Sequence, residues 1–360
     1  MSRKPPTPRG RGALSLPDNR YEKETREIMP EAMGEAPPSS NDTVILPDTA
    51  RSVLCENDSP DVGFSRSLNP YRGCEHGCIY CFARPTHAYL GLSPGLDFER
   101  RIFFKKDAAV LLEQELRKKS YRCEPIALGI NTDSYQPAEE KLGVTRSILQ
   151  VMLRARHPLT IVTKSALIER DLDLLTALSA HRCIQVFISL PTLNEDLSGK
   201  LEPRATRPMR RLETIGRLSD AGIPVGVLAA PVIPGLTDHE LEKILESARK
   251  AGALSAGYIL LRLPLEVRPL FLEWLSHHYP DSAKKVEHRL REFHGGALYD
   301  SEFGRRMRGS GLIMADLLSK RFEVAARRLG FGPMPELDPS GFVPPVPPPR
   351  RSRLFPDFSP

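Results

Sequence analysis

No stretch of this sequence approaches the roughly 18 consecutive apolar residues that a membrane-spanning helix needs, so no membrane partner is expected. Arg3, Lys4, Arg9 and Arg11 stand near its start with no apolar run behind them, which is not the layout of a secretory signal. Cysteine is too scarce and too unevenly spread for a disulfide framework: three of the six fall within eight residues, while Cys55, Cys123 and Cys183 lie far apart and read as small buried hydrophobes. Such a pattern suits a reducing compartment, and a cytoplasmic location is expected. There is no internal repeat beyond the βα alternation described below, and no second C-x2-C or H-x3-H pair follows the cysteine group. Acidic excess is absent too. The formal net charge of +6 permits attraction to phosphates without requiring it.

What the chain does have is Asn69-Pro70-Tyr71-Arg72-Gly73-Cys74-Glu75-His76-Gly77-Cys78-Ile79-Tyr80-Cys81-Phe82, a C-x3-C-x2-C group containing two glycines. Three thiols at this spacing reach one centre only if the backbone wraps around it, and Gly73 and Gly77 allow the tight turns that wrapping needs. Iron-sulfur clusters are held by thiolates in this manner. A [4Fe-4S] cube has four irons, so three ligands leave one iron open to something from outside the chain. Zinc is the competing reading, with His76 or His87 as fourth ligand. In that case the loop is structural and the protein is a non-enzymatic metal-bearing binding module.

Along the chain, residues 1–50 are rich in Pro, Gly, Ser and charge and read as a disordered basic arm. Residues 51–264 alternate short apolar runs with amphipathic segments. The runs fall near 68–71, 126–130, 159–163, 184–188, 225–229 and 256–263, with helices expected at 108–117, 139–155, 168–180, 209–221 and 238–251. Six such units predict an α/β fold with a parallel sheet wound by right-handed crossovers, an open, partial (βα)6 barrel resembling a TIM barrel. Residues 265–332 read as a helical extension at 266–279, 281–293 and 311–329, and 333–360, with Pro344-Pro345-Val346-Pro347-Pro348-Pro349, as a disordered Pro-rich tail.

In parallel α/β folds the chemistry collects at the carboxyl ends of the strands. Those ends carry the three cysteines, then Asn131-Thr132-Asp133, Lys164, Ser189 and Pro234-Gly235. Thr132 and Asp133 can accept from an ammonium, and Lys164 and Ser189 can donate to a carboxylate, so the set suits an amino acid moiety beside a cluster. Arg204 and Arg207 flank Thr206 and read either as a ligand clamp or as a solvated charge run. Arg305-Arg306-Met307-Arg308-Gly309 is the best candidate for contacting phosphate outside the arm.

The cysteine loop, with Tyr80 just before its last cysteine and βα units after it, resembles the radical S-adenosylmethionine (SAM) superfamily. The resemblance spans about residues 55–330 and is strongest to a bacterial group of unknown function similar to the spore photoproduct lyase family, through the cysteine loop, Asn131-Thr132-Asp133 and Thr163-Lys164. It implies that Cys74, Cys78 and Cys81 hold a [4Fe-4S] cluster whose open iron takes the methionine end of S-adenosylmethionine. Reduction would then cleave SAM to a 5′-deoxyadenosyl radical that abstracts hydrogen from an unidentified substrate. By the same similarity Lys164 and Ser189 are the expected carboxylate contacts, Thr132 and Asp133 lie near the amine, Tyr80 sits by the adenine through its backbone, and Arg204 is a further cofactor contact. The resemblance also implies an electron donor such as flavodoxin or ferredoxin, and nucleic acid as a possible substrate. Two departures separate this sequence from the lyases. Ile130 stands where they place the hydrogen-donor cysteine, and Phe82 where they have a tyrosine after the third cluster cysteine. Neither side chain donates hydrogen, so the catalytic donor is not identified, and Cys123 lies roughly 30 Å upstream if extended.

Overall fold

The computed structural model describes residues 9–21, 42–309 and 313–346. Its strands are β1 (Val44–Pro47), β2 (Leu54–Glu56), β3 (Arg66–Leu68), β4 (Tyr71–Arg72), β5 (Arg101–Phe104), β6 (Ile126–Leu128), β7 (Leu159–Thr163), β8 (Ile184–Ser189), β9 (Val225–Val232) and β10 (Ser255–Leu260). Seven of them form one sheet in the order β10-β9-β8-β7-β6-β3-β2. From β3 to β10 every neighbour is parallel and follows chain order, and only β2 runs antiparallel. Neighbours in chain order require crossovers that all turn the same way. This is the winding a partial barrel needs, and the six expected parallel strands are all present.

The sequence reading missed a break in the first strand. Pro70 has no N–H to donate to a ladder, and the chain leaves β3 at Asn69-Pro70 to form β4 in a separate three-stranded sheet, β1-β5-β4. Asn69 Oδ1 accepts from Asn131 N at 2.9 Å, fastening this corner to the turn after β6.

Apolar faces of the helices Ala108–Leu116, Val144–Ala155, Leu172–Ala180, Pro208–Asp220 and Leu241–Lys250 pack on the sheet around Ile148, Met152, Leu175, Leu178, Ile215 and Leu245, all buried. The expected C-terminal helices are present at Val267–His278, Pro280–Phe293 and Ile313–Arg328. The first two form a second apolar cluster, centred on Trp274, with Cys78, Ile79 and Tyr80 of the cysteine loop. A segment from this region joins the two edges of the sheet. Met307 O accepts from Leu260 N at 2.9 Å beside β10, while Gly304 N and the Arg306 guanidinium bond to Asp61 in the β2–β3 connection.

Two stretches expected to be mobile are packed where they are described. Residues 9–21 lie against the cysteine loop, with Arg11 and Ala13 buried. Residues 332–346 run across the amino ends of the strands: Gly332 N bonds to Leu254 O, Gln185 Nε2 to Pro335 O, Arg182 pairs with Asp338, and Val343 N bonds to Ala155 O. Phe342 closes this belt against Tyr121 and His157. Residues 1–8, 22–41, 310–312 and 347–360, including Pro347-Pro348-Pro349 of the Pro-rich run and the first two residues of the helix expected at 311–329, lie outside the described residues. Among the described residues no helix is long and apolar enough to cross a membrane.

Candidate cofactor site at the cysteine loop

The loop follows directly from β4. Its own backbone bonds are few: Gly77 N to Cys74 O at 3.4 Å and Cys81 N to Cys78 O at 3.2 Å. Its shape is therefore imposed by neighbours. Gly73 (φ +78) and Gly77 (φ +67) occupy the left-handed region, and a Cβ on Gly73 would stand 2.9 Å from both Phe98 O and the His87 ring. Cys74 N donates to Phe98 O at 2.9 Å, and Cys74, Cys81, Ala83 and Phe98 form a small apolar cluster. Burial pushes the Cys78 and Cys81 thiols up, and the neighbouring Glu202 carboxylate adds to the effect at Cys78.

Behind the loop lies Arg84, wholly buried. Its guanidinium donates to Cys78 O at 2.9 Å, Gly77 O at 3.3 Å and Gly95 O at 3.0 Å, and pairs with the equally buried Glu99. Five N–H groups in a fixed fork can hold several carbonyls at once, which suits a loop without a ladder of its own.

The parallel register brings the strand-end residues to one rim. Thr132 Oγ1 donates to Tyr71 O at 2.7 Å. Both oxygens of Asp133 are engaged: Oδ1 accepts from Tyr135 N at 2.9 Å and Thr163 Oγ1 at 2.7 Å, and Oδ2 accepts from Lys164 N at 2.7 Å and lies 3.3 Å from His76 Nδ1. Burial opposes its charge, but His76 and these hydrogen bonds hold its pKa down to about 2. Asp133 thus shapes the turn and fixes the Lys164 backbone. The Lys164 ammonium stands 6.0 Å from the Tyr80 ring centroid. Burial opposes this charge as well, yet Cys78, Glu202 and Asp133 keep its pKa above the ordinary lysine value. Ser189 Oγ donates to Ala230 O at 3.0 Å.

Sequence reasoning passed over a buried ionic group that ties this rim to the loop. Tyr80 Oη donates to Glu202, whose other oxygen pairs with Arg211. Arg211 also donates to Ser189 O at 2.8 Å, and Cys78 Sγ lies 4.0 Å from Glu202 Oε1. Nothing in the local pattern at Glu202 or Arg211 distinguishes them from surface charge. Only the return of the excursion after β8 to the cysteine loop buries them.

Arg204 is placed apart from the strand ends. It pairs with Glu75 at 2.9 Å, donates to Thr43 Oγ1 at 3.1 Å, and its own N–H bonds to His76 O. Both histidines considered as zinc ligands have other partners, His76 facing Asp133 and His87 Nε2 lying 3.0 Å from Arg101 O. Among the described residues no three His, Cys, Asp or Glu side chains converge as a site for a metal ion. Beyond the third cysteine, Phe82 carries the Arg262 guanidinium 4.9 Å above its ring. Arg306 over Phe303 and Arg308 over Tyr258 repeat that arrangement on the segment joining the sheet edges.

Residues 68–248 match the family model described as the Radical SAM superfamily. An uncharacterized protein of Mycobacterium bovis is 36% identical over 251 residues, which cover 68% of this chain and 74% of that protein. An uncharacterized protein of Methanocaldococcus jannaschii is 26% identical over 225 residues, 62% of this chain and 79% of its own. Among solved structures, a spore photoproduct lyase mutant matches with a TM-score of 0.56 at 15% identity, covering 80% of each chain. Spore photoproduct lyase complexed with dinucleoside spore photoproduct matches with a TM-score of 0.55 at 15% identity over the same shares. At such identity the likeness shows a shared fold.

Proposed function

The chain belongs to the radical SAM superfamily and is a radical SAM enzyme, and from that premise we propose that Cys74, Cys78 and Cys81 hold a [4Fe-4S] cluster with one iron left for S-adenosylmethionine. When bound, the pair supplies a 5′-deoxyadenosyl radical able to abstract hydrogen from a substrate at the mouth of the sheet. The observation that carries this reading is the placement of three cysteines on one loop with hardly any backbone bonds of its own, braced by Arg84 and beside the Lys164 rim.

The residues present fit the cofactor. Phe98 and Ala83 give Cys74 and Cys81 an apolar wall, Cys78 packs in the Trp274 cluster, and the glycines let the backbone wrap. The Lys164 ammonium is the group that receives the methionine carboxylate, and Asp133 positions it through its backbone rather than touching the amine. Thr132, with lone pairs left after donating to Tyr71 O, stays beside the amine. Ser189 gives its proton to Ala230 O and is left as an acceptor for a hydroxyl. Tyr80 keeps its phenol on Glu202 and offers the adenine its backbone. Arg204 holds the loop through Glu75. The site would be supplied with electrons by a carrier such as flavodoxin or ferredoxin in the cytoplasm. The catalytic unit is residues 51–264, with 265–332 as its helical flank.

In the test, reduced protein is incubated with SAM and the products are analysed. 5′-Deoxyadenosine from the wild type, and its loss in Cys78→Ala, is the expected result. A reduced, iron-loaded wild type that leaves SAM intact overturns the reading.

A second reading concerns the substrate. Arginines lie over two exposed rings, Arg262 on Phe82 and Arg306 on Phe303, and the exposed Arg308 lies over the buried Tyr258; exposed rings interleaved with cations are what single-stranded nucleic acid sites use. One of the structural neighbours is complexed with a dinucleoside. Nucleic acid is therefore the substrate class we propose to test first. Ile130 and Phe82 argue that the hydrogen transfer after radical formation differs from that of the lyases.

A further inference from the structure

We propose that residues 11–19 are a clasp that retains the cluster, with Gly12 as its seat and Glu99 as the positioning residue linking clasp to loop. The inference rests on the [4Fe-4S] reading and goes beyond it.

The order of attachment is visible bond by bond. Gly77 O and Cys78 O are held by Arg84, and Arg84 is held by Glu99. Glu99 in turn is capped by the segment 11–13: Gly12 N donates to Oε2 at 2.9 Å, Ala13 N to Oε1 at 2.8 Å, and Arg11 Nη1 to the Glu99 backbone carbonyl at 2.7 Å. The segment continues over the back of the loop, where Ser15 O accepts from Leu96 N at 3.2 Å, Pro17 O from Ser93 Oγ at 2.7 Å, and Asn19 Nδ2 donates to Ala88 O at 2.9 Å.

Gly12 is seated directly on the loop backbone. A Cβ there would stand 1.8 Å from Gly77 O and 3.3 Å from Ile79 N. Both are backbone atoms that cannot rotate away, so the contact admits glycine alone. Arg11 adds a second tie, donating to Thr43 Oγ1 at 3.1 Å, which itself donates to Glu75 at 2.7 Å. With the clasp in place Glu99 and Arg84 are wholly buried. With it displaced, two backbone donors leave the Glu99 carboxylate and water reaches the Arg84 pair, weakening an attraction that is strong only while dry. Gly77 and Cys78 then lose their brace, and a loop with few bonds of its own opens.

The test compares iron-sulfur-loaded wild type, Gly12→Val and, as control, Leu318→Ala, a buried position in the helix Ile313–Arg328. Leu318→Ala reports what general destabilisation alone does. Release of iron to an external chelator is followed under anaerobic conditions by loss of iron-sulfur absorbance. The expected result is release about tenfold faster from Gly12→Val, through easier local opening of the loop, with Leu318→Ala at the wild-type rate although its melting temperature falls. Should Gly12→Val not fold, Arg11→Met, which removes the ties to Glu99 and Thr43, is read in the same way. Wild-type release rates in the clasp variants, or equal acceleration in Leu318→Ala, overturn the clasp alone. A wild type that takes up no iron and sulfide overturns the proposed function, and the clasp with it.

Discussion

Arg84 and Glu99 form an ion pair in which neither side chain is exposed to solvent. One partner holds the carbonyls of Gly77 and Cys78, and the other holds the segment 11–13. Removing one member of a buried pair strands the other, which typically costs about 3–5 kcal/mol. Arg84→Met is expected to destabilise the protein by about that amount, measured by urea unfolding of the iron-free chain. The double variant Arg84→Met/Glu99→Gln is expected to recover part of the loss, since no buried charge remains.

A contrast between two glycines tests the loop geometry. Gly73 and Gly91 have similar backbones, φ +78 and φ +70, but a Cβ on Gly73 meets two carbonyls and the His87 ring, whereas Gly91 faces open space. Gly91→Ala is expected to cost only the left-handed penalty of about 1–2 kcal/mol. Gly73→Ala is expected to cost more and to lower iron uptake as well, because the residue after it is Cys74. Melting temperatures and iron content of the two variants check this.

Much of the fold was legible because burial on both faces of a parallel strand demands an apolar run, and β6 to β10 each supply one. The cysteine loop and its rim were legible for the same reason, since chemistry follows from where such runs end. The clasp and the C-terminal belt were not. They are held by backbone N–H groups and by isolated anchors such as Asp338 and Phe342, and neither leaves a periodic pattern. Asp133 shows the limit at single-residue scale. An aspartate after a strand can serve as a ligand or as a turn former, and the pattern does not separate the two; hydrogen bonds from Tyr135 N, Thr163 and Lys164 N show its part in the turn.

Acid should loosen the belt through His157. The buried ring places Nδ1 2.9 Å from Pro158 O, to which it donates, and Nε2 2.7 Å from Tyr121 Oη. Burial pushes its pKa down to about 4 from an ordinary 6.5. The unfolded chain therefore takes up the proton first, and stability present above pH 6.5 is lost as pH falls toward 4. His157→Gln is expected to flatten the stability-versus-pH slope in that window by up to about 1.4 kcal/mol per pH unit. The remaining slope includes His87, whose pKa burial also lowers to about 4.

If the arginine–aromatic segment meets nucleic acid, affinity should fall steeply with salt, and Arg308→Ala should reduce the slope by about one unit of released counterion. Fluorescence anisotropy with a labelled single strand at several salt concentrations measures both. Binding absent at low salt would leave the substrate to another class.

The most direct measurement is the iron and sulfide content of anaerobically reconstituted protein, with electron paramagnetic resonance of the reduced sample before and after SAM is added. Three cysteines around a cube with one open iron predict about four irons and four sulfides per chain and a signal that changes when SAM arrives. Tightly bound zinc without iron, or a cluster signal indifferent to SAM, would contradict the account.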